Sequence, residues 1–141
     1  MPRQRGTETA AIGVASEART NGISVVVRSS YVPERSAPAS GHYFFSYRIR
    51  IANEGNVAAQ LVSREWVITD AHGRVEVVQG EGVVGEQPVL DPGEVFEYES
   101  FCPLPTPTGS MQGKYLMVTA EGKQFEARIA PFALAALHAV N

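Results

Sequence analysis

Residues Gly80 to Tyr115 read GEGVVGEQPVLDPGEVFEYESFCPLPTPTGSMQGKY. The string Gly80-Glu81-Gly82-Val83-Val84-Gly85 fits the GxGxxG fingerprint of dinucleotide-binding proteins. That fingerprint holds a pyrophosphate only where a strand feeds the turn and a helix N-terminus follows it. Here Pro88, Asp91-Pro92-Gly93 and the period-two run Val95 to Phe101 come next. The element after the glycines is therefore a strand, and no helix dipole faces them. Consecutive glycine amides can still form a concave nest for an anion. Gly80, Gly82 and Gly85 are thus the candidate anion-binding residues, beside the plainer reading that they permit a tight crossover loop between two sheets.

The same period-two pattern runs outward on both sides. Ile23, Val25 and Val27 alternate with Ser24, Val26 and Arg28. Phe45, Tyr47, Ile49 and Ile51 alternate with Ser46, Arg48 and Arg50. Between these two strands, Val32 to Gly41 carries Pro33 and Pro38 and is a loop. Leu61 to Ile68 is a strand that buries its Trp66 face, and Asp70-Ala71-His72-Gly73 turns it into Val75 to Val78. Pro103 to Gly109 holds three prolines and reads as a loop. Tyr115 to Ala120 and Phe125 to Ile129 form a hairpin around Glu121-Gly122. The only helical expectation is a short turn at Phe132 to His138. About seven short strands with regular turns predict an all-β, antiparallel sandwich of immunoglobulin or fibronectin type III kind. Residues 1–21 are expected to be a mobile leader, 22–131 the sandwich and 132–141 a C-terminal tail.

Composition bounds the function. At 141 residues, 44% hydrophobic and 19% charged, the chain has the size and make-up of one soluble domain. A net charge of -3 with scattered Lys and Arg argues against nucleic acid as a partner. No apolar stretch approaches the ~20 residues of a membrane span. Arg3 and Arg5 precede an Ala10 to Ala15 run too short for a secretory signal. The single cysteine, Cys102, cannot form an internal disulfide. A cytoplasmic location is the expectation.

Candidate chemistry is sparse. Glu97 and Glu99 share a strand face near Asp91 and Glu94, so oxygen ligands for a magnesium-like ion are conceivable, but the spacing is equally that of a solvated face. His42, His72 and His138 show no paired spacing of zinc ligands. Cys102 has no local base, and Ser100 and Ser110 lack a nucleophile elbow. Arg64 shares a face with Trp66 and is expected to meet a carboxylate at the rim. Tyr31, Tyr43 and Phe44 place aromatic surface near the proline loop, where a protein partner could anchor.

Three stretches together resemble the ApaG family: LVSREWVITDAHG at Leu61 to Gly73, GEGVVGEQPVLDPGEVFEYESFCPL at Gly80 to Leu104, and TPTGSMQGKYLM at Thr106 to Met117. The resemblance covers about Gly22 to Pro131. It implies a fibronectin type III-like sandwich, in agreement with the strand pattern. It also implies a bacterial protein linked by name to cobalt and magnesium resistance, with related domains inside eukaryotic F-box and polymerase-interacting proteins. The resulting expectation is a non-enzymatic binding module without a cofactor, mediating protein-protein interaction and tied only indirectly to cobalt and magnesium homeostasis. The alternative is a binder of a small anion, pyrophosphate or nucleotide at the Gly80 to Gly85 loop. An exposed edge strand of such a sandwich can also add to another copy of itself.

Overall fold

A computed structural model of the chain describes residues 12–136. Nine strands follow in order: β1 Ala15–Thr20, β2 Ile23–Tyr31, β3 Tyr43–Asn53, β4 Ala59–Asp70, β5 Val75–Glu81, β6 Val89–Leu90, β7 Val95–Leu104, β8 Thr108–Thr119 and β9 Gln124–Ala135. They form two antiparallel sheets, one ordered β1-β2-β3-β7 and the other β5-β4-β8-β9, with the two-residue β6 also paired to β4. Strands β2-β3-β7 and β4-β8-β9 take the A-B-E and C-F-G places of an immunoglobulin-type sandwich. β5 extends the second sheet and β1 the first.

The core follows the alternation. Val25, Val27, Phe45, Ile49 and Ile51 from one sheet meet Leu61, Met117, Tyr115, Ile129, Phe132 and Leu134 from the other, all at most 1% exposed. Tyr47, Trp66 and Phe132 lock the centre with ring centroids 5.2 to 6.1 Å apart. Each such pair contributes roughly 0.5–1.5 kcal/mol beyond its burial. Strict alternation would put Leu61 and Trp66 on opposite faces, yet both are buried. A bulge between Leu61 and Ser63 supplies the extra residue that brings Leu61 onto the Trp66 side.

Several boundaries differ from the sequence expectation. The leader expected over 1–21 contains β1, which pairs with β2 through Ala15↔Arg28 to Thr20↔Ile23. Its half-buried side chains are Ser16, Ala18 and Thr20, too small and polar to produce an apolar alternation. The tail expected from residue 132 begins as strand. β9 runs to Ala135, and Phe132 and Leu134 are fully buried, so the helical turn expected from Phe132 is absent; its last residues, 137–141, lie outside the described ones. Pro103, expected in a loop, belongs to β7. This is tolerated because β7 is an edge strand, where a missing N–H costs no ladder bond.

The sandwich is closed along one side and open along the other. On the closed side β1 and β9 are tied across the sheets: Ser16 Oγ donates to the Ala130 carbonyl at 2.8 Å, and the Thr20 hydroxyl oxygen accepts the Arg128 N–H. Ser29 Oγ of β2 donates to the Ala133 carbonyl at 2.6 Å. On the open side β7 and β5 are the edge strands of their sheets.

Candidate functional site

The glycine string lies on that open side. Gly80 is in β5, directly opposite Arg64 of β4. Gly82 leaves the strand at φ +63, and a Cβ there would collide with the Glu86 carbonyl. Val83 and Glu86 exchange both backbone hydrogen bonds, at 2.8 and 2.9 Å, so Val84 and Gly85 are the two central residues of a tight turn at φ 43 and 82. Positive φ at both positions is the pattern of a type I′ turn, which normally favours Asn-Gly. Val84 is β-branched and 54% exposed, an unusual residue to hold in the left-handed region.

The string does not connect the two sheets. β5 and β6 both pair with β4, and the chain crosses to the other sheet only after β6, at Asp91-Pro92-Gly93. Nor are the loop amides all free for an anion. Gly82 N–H donates to the Val62 carbonyl at 2.9 Å and Val83 N–H to Glu86. Gly80, Gly82 and Gly85 therefore have three separate local duties: space for a side chain, a backbone corner and a turn.

The side chain that fills the space over Gly80 is Arg64. Its Nη1 donates to the carbonyls of Glu81 at 3.0 Å and Gly82 at 2.8 Å. The carboxylate expected to meet it at the rim is not there: among the described residues no acid pairs with Arg64, and the backbone of the glycine loop takes that place. Arg64 shares the face of Trp66 by simple alternation, and the bulge between Leu61 and Ser63 sets that face on the same inner side as Leu61.

Around this guanidinium is a cleft of about 310 Å³, lined by Tyr47, Arg64, Trp66, Tyr98, Ser100 and the Val83 to Gly85 turn, with Glu81 at its mouth. Its depth holds hydroxyls. Tyr98 and Tyr115 share a hydrogen bond of 2.6 Å. Burial raises the pKa of both well above the usual tyrosine range and also raises that of Tyr47, there against a lowering hydrogen bond from Ser100 and the pull of Arg64. These tyrosines are neutral donors at neutral pH. Cys102, on the same inner face of β7, is buried, and its thiol is pushed up to about 11 by burial and by Glu76. It is a packed thiol rather than a nucleophile.

The other candidates lie elsewhere. Glu97 and Glu99 are on the outer face of β7, opposite Arg50 and Arg48 at 3.4 and 3.8 Å. They form a surface ion-pair ladder, and among the described residues no three His, Cys, Asp or Glu side chains come together as metal ligands. Phe44 stacks on Phe101 at 5.5 Å beneath the Arg35 guanidinium, which is 4.3 Å from the Phe44 ring centroid. Ser110 pairs within the β4–β8 ladder, opposite Thr69. His42 precedes β3 and His72 lies in the β4–β5 turn, and His138 is outside the described residues. A larger hollow of about 530 Å³ lies at the end of the sandwich around Gly22, Gly55 and Thr119. Its charged groups are exposed, and Glu54 is already paired with Arg19 at 2.8 Å.

The ApaG domain profile matches residues 33–119, which include β3 to β8 and the cleft. The chain belongs to the ApaG family. It is 58% identical to Protein ApaG of Anaeromyxobacter dehalogenans strain 2CP-1 over 126 residues, 89% of this chain and 99% of that one. Protein ApaG of Methylobacterium sp. strain 4-46 is 52% identical over 86% of this chain and 94% of its own length. Among solved structures, the ApaA protein of Bordetella pertussis superposes with a TM-score of 0.79 at 48% identity, covering 89% of this chain and 97% of that one. The family and the two-sheet fold expected from the sequence are thus both observed. Among the described residues no helix is long and apolar enough to cross a membrane.

Proposed function

We propose that the protein is a non-enzymatic binding module, located in the cytoplasm, that holds an extended segment of a protein partner along the open side of the sandwich. One observation carries this reading. β5 is an edge strand whose Val75 and Val77 are 57% and 56% exposed, and it runs directly beside the Arg64 cleft. An edge with apolar side chains and no lysine is suited to accept an added strand, with main-chain hydrogen bonds giving affinity and adjoining pockets giving specificity. The cleft supplies no opposed nucleophile and base: its hydroxyls are neutral, and the nearby thiol titrates far above neutrality. We assign the link to cobalt and magnesium homeostasis to such a partner rather than to ion binding by this chain, because its paired acids on β7 are neutralised by arginines.

A photo-crosslinking residue at Val77 tests the reading, with Glu17 on the opposite side of the sandwich as control. Reproducible crosslinks from position 77 to one defined segment of a partner support it. Crosslinks equally frequent at position 17, or none at position 77, count against it.

A further inference from the structure

The cleft is unusually one-sided in its chemistry. Arg64 has five N–H donors, and only Nη1 meets protein acceptors, the Glu81 and Gly82 carbonyls. Among the described residues the Nε and Nη2 protons have no protein acceptor. The Tyr98–Tyr115 pair carries two hydroxyl protons and one mutual hydrogen bond, so one proton of the buried pair is left over. Ser100, from the facing wall, forms a second hydroxyl pair with Tyr47, and this pair too has two protons for one mutual hydrogen bond. Glu81 lines the cleft but, like every other carboxylate of the described residues, forms no ion pair with the guanidinium, and Trp66, the Tyr47 ring and Val83 supply apolar surface.

From this cleft with its unpaired guanidinium and surplus hydroxyl protons we infer a binding site for a carboxylate carried on an apolar or aromatic group, with Arg64 as the anion-binding residue and Ser100 and Tyr98 as supporting donors. A guanidinium edge matches the planar, two-oxygen geometry of a carboxylate, and partial burial strengthens the pair relative to water. One unneutralised cation suits a monoanion; a pyrophosphate would bring surplus negative charge beside Glu81. The volume is at the lower end for small-ligand sites and suits a side-chain-sized group. The carboxylate has two sources: a free small acid, or the C-terminus or acidic side chain of a segment lying on β5.

Trp66 is the only tryptophan and lines the cleft, so its fluorescence reports occupancy without a label. The intact chain is titrated with benzoate and with the neutral isostere benzamide at fixed ionic strength. Saturable change with benzoate in the millimolar range, about tenfold or more weaker for benzamide and for Arg64→Gln, is the expected result. No saturable response, an equal response to benzamide, or unchanged binding by Arg64→Gln overturns the assignment, as does pyrophosphate displacing benzoate at lower concentration than benzoate itself binds. The benzoate and benzamide comparison uses the unaltered chain, so it stands even if Arg64→Gln does not fold. Ser100→Ala, on the other wall, is expected to weaken benzoate severalfold. An acetylated tripeptide ending in phenylalanine, as free acid and as amide, separates the sources: a free acid binding well above benzoate assigns the carboxylate to a peptide, and parity assigns it to a free acid. Val77→Lys should leave benzoate binding unchanged while abolishing strand addition at β5, so failure of the edge-strand reading and failure of the carboxylate site are told apart.

Discussion

Gly80 and Arg64 face each other across the β4–β5 ladder, and a Cβ on Gly80 would fall 2.7 Å from the Arg64 Nη2. The first glycine of the string is the floor on which the guanidinium lies. Gly80→Ala therefore displaces a flexible side-chain end, whereas Gly82→Ala drives a methyl into the Glu86 backbone at a φ of +63. We expect Gly80→Ala to cost about 1 kcal/mol through weakened Arg64 bonds. Gly82→Ala should cost about 2 kcal/mol or more through left-handed strain and backbone displacement. Urea unfolding of the two variants checks the order; equal costs would mean that the glycines are interchangeable turn residues.

The turn at Val84-Gly85 is strained at its first position. Type I′ geometry requires left-handed backbone at both residues, and a β-branched side chain resists it. Val84→Asn should raise stability by about 1 kcal/mol, seen as a higher urea midpoint at unchanged slope. Because Val84 also lines the cleft, benzoate affinity should fall in the same variant. A midpoint that stays put or drops would mean that valine packing outweighs the backbone term.

Much of this was legible in the residues and some was not. Alternation in Ile23 to Val27 and Phe45 to Ile51 gave the inner face of the first sheet directly, because the side chains are large and the contrast with Ser46, Arg48 and Arg50 is sharp. β1 escaped because Ser16, Ala18 and Thr20 carry no hydrophobic contrast, and it is held instead by pairing with β2 and hydrogen bonds to β9. The Arg64 site escaped for a different reason. It depends on a bulge that shifts β4 by one residue and on the register that sets Gly80 opposite, and both are properties of strand pairing rather than of either segment. The signal present in the sequence was the arginine two residues before the buried tryptophan, and it pointed to the right face but the wrong partner.

Alkaline pH should destabilise the fold before acid pH engages these groups. Burial pushes the Cys102 thiol up to about 11 from its ordinary value of 9.0, and Tyr47, Tyr98 and Tyr115 are raised from their ordinary 10.0. All four are neutral when protonated, so the folded state holds its protons more tightly than the unfolded state. Their contribution is intact below about pH 9 and is lost as pH rises through 9 to 11 and beyond, at up to roughly 1.4 kcal/mol per pH unit for each group in its window. Urea midpoints should be flat from pH 7 to about 9 and then fall steeply. Cys102→Ser should reduce the part of the fall between about pH 9 and 11, since a hydroxyl does not titrate there. A curve identical in the variant would remove Cys102 from the explanation.

The exposed edge makes its own demand on β5. In a ladder with one neighbour, alternate amides of Val75 to Glu81 have no partner and should exchange with deuterium as fast as a loop, while the intervening amides, bonded to β4, exchange slowly. Protection of every β5 amide in the isolated chain, rising with concentration, would instead mean that a second copy occupies the edge. Val77→Lys distinguishes the two at little cost to the monomer: Val77 is 56% exposed, so stability should change by less than about 0.5 kcal/mol. A lysine on the edge disfavours pairing with any added strand, so concentration-dependent protection, where present, should vanish in this variant. If full protection persists at low concentration and in Val77→Lys alike, β5 is covered from within the chain, and neither a partner nor a second copy can add there.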